Sequence, residues 1–130
     1  MRFYSLLSKK RNTAAECGKC MMLENNFRGV IRSPRWKDVL QYLELMAVNP
    51  EEFVTLTLPA PMNGIRYMQA CLVGKGVSVQ LGLENEGTVT LLEAGCDLEQ
   101  TRHFFDVFYH NGMVPDVDLF HPMSTVTKTE

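Results

Sequence analysis

Apolar and polar residues alternate without a break over 77–83, where Val77, Val79, Leu81 and Leu83 fall on one side and Ser78 and Gln80 on the other. A period of two predicts a strand with one buried face. The same period runs through Phe53–Leu58, with Val54, Leu56 and Leu58 inward and Thr55 and Thr57 outward. Thr88–Glu93 follows it with Val89 and Leu91 inward. Ile65–Val73 is apolar on nearly both sides, which predicts a central strand. The links Pro59–Gly64, Gly74–Gly76 and Glu84–Gly87 are far shorter than the roughly dozen residues a parallel crossover needs, so the four strands are expected to be joined as hairpins.

The period changes to that of a helix on either side of this block. Trp36, Val39, Leu40, Leu43, Met46 and Ala47 recur at helical spacing over 34–48, after Ser33 as the expected N-cap and Pro34 at the first helical position. Leu98–Asn111 repeats the pattern with Leu98, Thr101, Phe104, Phe105, Phe108 and Tyr109 on one face. Asp97 with Gln100 three residues on predicts a capping box, and Gly112 followed by Pro115 predicts the stop. The expectation is therefore an α+β fold: a four-stranded antiparallel meander with a helix before and a helix after, both packed on one face. The other sheet face carries Thr, Ser and Gln. Residues 1–32 read as a basic, irregular extension with a possible short strand at Phe27–Arg32, residues 33–123 as the α+β domain, and residues 124–130 as a loose tail.

Composition adds little to this, but charge does. With 45% hydrophobic and 22% charged residues the chain can bury a core without metal or disulfides. Residues 1–40 hold nine Lys/Arg against three acids, a balance of +6, while residues 41–130 hold four against twelve, a balance of −8. The acidic part argues against a nucleic-acid partner and for a basic one. No apolar run approaches the ~18 residues of a membrane span. Phe3–Leu7 is too short for a secretory signal, so a cytoplasmic location with reduced thiols is expected.

Three constellations carry candidate chemistry. Cys17-Gly18-Lys19-Cys20 brings two thiols within reach of one metal, and zinc would need two more ligands from Cys71, Cys96, His103, His110 and His121. The same pair also fits a redox role, although no strong strand precedes it. On the second helix His103, Asp106 and His110 fall within a sector about 60° wide, a spacing that suits an acid–base pair or equally a solvated face of i,i+4 pairs. Finally, Glu84 and Glu86 share a turn, Glu93, Asp97 and Glu99 straddle a strand-to-helix junction, and Asp116 and Asp118 follow the second helix. If they share one side, they form an acidic patch suited to a basic protein partner.

The order of these elements, a helix with Trp36 and Leu40-x-x-Leu43, then Val54–Leu58, Gly64–Val73, Val77–Glu84 and Thr88–Gly95, then an amphipathic helix, resembles small bacterial immunity proteins that neutralise polymorphic or contact-dependent toxins. The resemblance covers residues 33–112 and implies a cytoplasmic, non-catalytic protein that binds a cognate toxin. The alternatives are a small zinc-binding or redox protein using Cys17 and Cys20, and a small enzyme using His103, Asp106 and His110. An open meander also leaves edges that a homodimer would cover.

Overall fold

The computed structural model describes residues 20–127. The elements are β1 (Met22–Asn25), β2 (Gly29–Arg32), α1 (Trp36–Met46), β3 (Phe53–Met62), β4 (Ile65–Val73), β5 (Gly76–Asn85), β6 (Thr88–Cys96), α2 (Leu98–Asn111), a 3₁₀ turn at Val117–Leu119 and β7 (His121–Thr127). All strands join one antiparallel sheet in the order β2-β1-β3-β4-β5-β6-β7. The sheet is seven-stranded, which corrects the expected four-stranded meander: β3–β6 are its middle. The edges that a four-stranded sheet would leave open are occupied by β1 and β7.

Three two-residue turns make the hairpins of the middle block. Asn63-Gly64 and Glu86-Gly87 carry positive φ at both positions (53° and 83°, 51° and 82°), the backbone that matches strand twist in a tight hairpin. Gly74-Lys75 is the third. β3 runs past its expected end at Leu58 to Met62, but its register with β4 breaks between Thr57 and Met62. Pro59 and Pro61 lie in that gap, and neither has an N–H to give the ladder.

The added strands escaped the hydrophobic pattern for a physical reason. β1 has only four residues, and one of its two buried positions is Asn25. That amide is satisfied at both polar atoms: its Oδ1 accepts from the Phe27 and Arg28 N–H groups at 2.7 and 3.0 Å, and its Nδ2 donates to Glu52, 27 residues on, at 2.9 Å. Arg28 closes the network with a forked contact to both Glu52 oxygens, at 3.2 and 2.9 Å. The β1–β2 turn is thus held to the start of β3 by polar groups that no apolar pattern signals.

One face of the sheet is covered by both helices, which also touch each other. Val39, Leu43 and Met46 of α1 and Phe104, Phe105 and Phe108 of α2 meet Leu23, Val54, Leu56, Met68, Ala70, Val79, Leu81 and Ala94 in one core. The Tyr109 hydroxyl donates to the Pro34 carbonyl at 2.7 Å, and its ring lies 5.5 Å from that of Trp36. α2 follows expectation in detail: Asp97 accepts from the Gln100 N–H at 2.7 Å, Gln100 returns the bond at 3.0 Å, and Gly112 closes the helix at φ 68°. α1 starts two residues later than expected. Ser33 is not its cap but a left-handed residue at φ 51°, and the Arg35 N–H donates to the Asp38 carboxylate at 2.8 Å instead. The phase of β6 is also corrected. Leu92, Ala94 and Cys96 face the core, whereas Val89 and Leu91 lie on the uncovered face. Leu91-Leu92 is apolar on both sides, so only the extension of the strand to Cys96 decides the phase.

Candidate functional site

Strand alternation puts every second residue of β3–β6 on the face the helices leave uncovered. Glu24, Thr55, Gln69, Gln80, Glu93 and His121 form one row across six strands. A chain of hydrogen bonds follows most of it. The Thr55 hydroxyl donates to Gln69 Oε1 at 2.7 Å, Gln69 Nε2 to Gln80 Oε1 at 3.3 Å, Gln80 Nε2 to Ser78 Oγ at 3.3 Å, and the Ser78 hydroxyl to Glu93 Oε2 at 2.5 Å. Every step runs in the same direction and the chain ends on a carboxylate.

Beside Glu93 the uncovered face has a hollow of about 300 Å³ lined by Val73, Gly76, Val77, Ser78, Glu93, Gly95 and Cys96. Cys71 stands opposite Ser78 in the ladder. Burial pushes its thiol pKa up, and the Glu93 charge pushes it further. The Cys96 thiol is raised in the same way, by burial and then by Asp97. Both thiols are therefore held in the protonated, weakly nucleophilic form.

A second hollow, about 330 Å³, opens at the N-terminal end of α2 and is lined by Asp97, Glu99, Gln100, His103, Phe104 and Asp116. Asp116 comes from the segment that follows the helix, where it sits at φ 52° ahead of the 3₁₀ turn. Of the seven acidic candidates, three therefore share this hollow, and Glu93 lies just before it in sequence, on the uncovered face. Asp118 is exposed within the 3₁₀ turn. Glu84 and Glu86 are apart from both hollows, at the β5–β6 turn, where Glu84 meets Arg66 at 3.2 Å and Glu86 is exposed. The seven do not form a single patch.

Comparison with protein-family models, with curated proteins and with solved structures finds no match.

His103, Asp106 and His110 are exposed on α2. His110 Nδ1 lies 2.7 Å from an Asp106 carboxylate oxygen, an i,i+4 pair, while His103 faces the hollow with Asp97. Cys17 lies outside the described residues, and Cys20 is half-buried at their start. Among the described residues no three His, Cys, Asp or Glu side chains converge as metal ligands, and no helix is long and apolar enough to cross a membrane.

Ser78, Gln80 and Thr55 were legible only as outward-facing polar residues, and Gln69 lay in a run read as apolar on nearly both sides. What joins them to Glu93 is cross-strand register, which the turn lengths fix and the composition of each strand does not.

Proposed function

We propose that this chain is a non-catalytic protein-binding module that receives a basic partner at the β6–α2 junction, as a cytoplasmic immunity-type inhibitor would. One observation carries the reading: Asp97 and Glu99 from the start of α2 and Asp116 from beyond its end line one hollow that, among the described residues, holds no Lys or Arg. Carboxylates of one sign around a concavity raise the local potential and steer a cationic partner toward it. The immunity-type part rests on the element order of residues 33–112.

The test is capture of the partner with the immobilised chain, followed by titration of that partner against the chain and against a Glu99→Gln, Asp116→Asn double variant. Asparagine suits the left-handed backbone of residue 116, so the second change leaves the fold intact. The expected partner is basic, with an association rate that falls as salt rises and an affinity about tenfold weaker for the double variant, which is ~1.4 kcal/mol. An affinity indifferent to both salt and the two substitutions overturns the proposal.

A further inference from the structure

Glu93 is a half-buried carboxylate that is fixed in place and, among the described residues, has no cation paired with it. It accepts a hydrogen bond from Ser78, and no ion pair among the described residues includes it. Ser78 is only 3% exposed, and its oxygen is engaged by Gln80 on the other side. The carboxylate cannot swing away without breaking the chain that runs back through Gln80 and Gln69 to Thr55. Aligned donors polarise one another, so the chain turns its positive end to Glu93 and holds the carboxylate in one position.

Among the described residues, the surface next to it carries few side chains. Gly76 and Gly95 occupy positions on the uncovered face where side chains would stand; a Cβ added at Gly95 meets no atom within 4 Å, whereas one at Gly76 would lie 3.2 Å from the Cys96 carbonyl oxygen. The hollow therefore has a floor of exposed peptide planes, one charged group at its side, and the 60% exposed Val73 in its lining. A flat, delocalised cation on an apolar stem fits such a place. A guanidinium lies against peptide planes, offers a two-pronged hydrogen bond to a carboxylate, and is more weakly hydrated than an ammonium. Its methylenes have Val73 to pack on.

We infer that the hollow over Gly95 binds an arginine side chain of the partner protein, with Glu93 as its acceptor. The inference rests on the protein-binding reading for the source of the arginine, but the site is testable without the partner. Amide shifts of Gly76, Ser78 and Gly95 are followed by NMR while arginine capped at both ends is added, with capped lysine and capped citrulline in parallel. Capped arginine shifts these amides most, lysine less, and the neutral citrulline does not. Glu93→Gln removes the response. Gly95→Val also removes it by filling the hollow, while keeping the fold, since the added atoms enter open space in a strand that favours valine. Citrulline shifts equal to those of arginine, or arginine shifts that survive in both variants, overturn the inference.

The partner separates the two ideas. If the Glu99 and Asp116 substitutions weaken its binding while Glu93→Gln and Gly95→Val do not, the arginine site is wrong and the protein-binding reading stands. About tenfold weaker partner binding by either of the latter two supports the site.

Discussion

At the scale of single residues, polar groups are used to hold chain segments that cannot bury enough apolar surface. Glu52 is the clearest case. Its side chain is 5% exposed, yet the Arg28 guanidinium and then the Asn25 amide stabilise its charged form, and they outweigh the desolvation that favours the neutral acid. The carboxyl is therefore held below its ordinary range. A folded-state pKa below the unfolded value gives stability that is present above the unfolded value and lost as the pH falls through the folded one. We expect the unfolding midpoint of the wild-type chain to fall as the pH drops below about 4.3, the ordinary value for glutamate. Glu52→Gln is expected to be less stable at pH 7, with the two proteins converging in acid. Urea titrations across that range check this, and a difference between them that is the same at pH 3.5 and pH 7 would contradict it. Glu93 is held differently: its donor is the neutral Ser78 hydroxyl, at the end of an uncharged chain.

At the scale of elements, the ends of α2 decide its placement and with it the acidic hollow. Gly112 stands at φ 68°, its N–H donates to the Phe108 carbonyl at 2.9 Å, and a Cβ there would come within 2.4 Å of the Met62 sulfur. Gly112→Ala is expected to cost about 1–2 kcal/mol from the left-handed backbone, before any displacement of Met62. Urea unfolding measures it, and an unchanged midpoint would show that the helix end is not held as described. This helix was legible in full, because Asp97, Gln100 and Gly112 are local signals that need no tertiary context. The strands β3–β6 were legible as elements for a related reason: apolar runs joined by links too short for a crossover leave few alternatives, although the end of β3 and the phase of β6 were not. The rest depended on partners distant in sequence. β1 needed Glu52 to satisfy Asn25, the start of α1 needed Asp38 rather than Ser33 as the group that binds the free N–H, and β7 begins with His121-Pro122, which no strand pattern favours. The site divides the same way. Glu93, Asp97 and Glu99 were visible as a run at one junction, but the hydroxyl and amides that fix Glu93 became visible only through register.

At the scale of the whole molecule, the sheet is finished by strands that are poor at recruiting another sheet. β2 has four residues, and β7 carries a proline, both features that blunt an edge. β6 is a different kind of strand. It is nine residues long and paired along its whole length with β5, and its other side is satisfied by β7 from Thr88↔Thr127 to Glu93↔His121. Without β7, the outward backbone groups of β6 are left to solvent, along an edge that has Leu91 on the uncovered face and Leu92 on the core face. A chain ending at Phe120 keeps its core anchor, because Phe120 is buried and its ring stacks edge-on against Phe104 at 5.3 Å. Such a chain is expected to fold, to unfold at a lower temperature than the full chain, and to associate with itself as concentration rises, since each unpaired ladder bond leaves a group that another strand can satisfy. Light scattering over a concentration series, beside thermal unfolding, tests this. A truncated chain with the same melting temperature and the same concentration-independent mass as the full one would mean that β7 does not complete the sheet, and the row from Glu24 to His121 would then lose its last member. If self-association appears, adding charge at the new edge with Leu91→Lys, on the uncovered face where the core is untouched, is expected to suppress it without restoring the lost thermal stability.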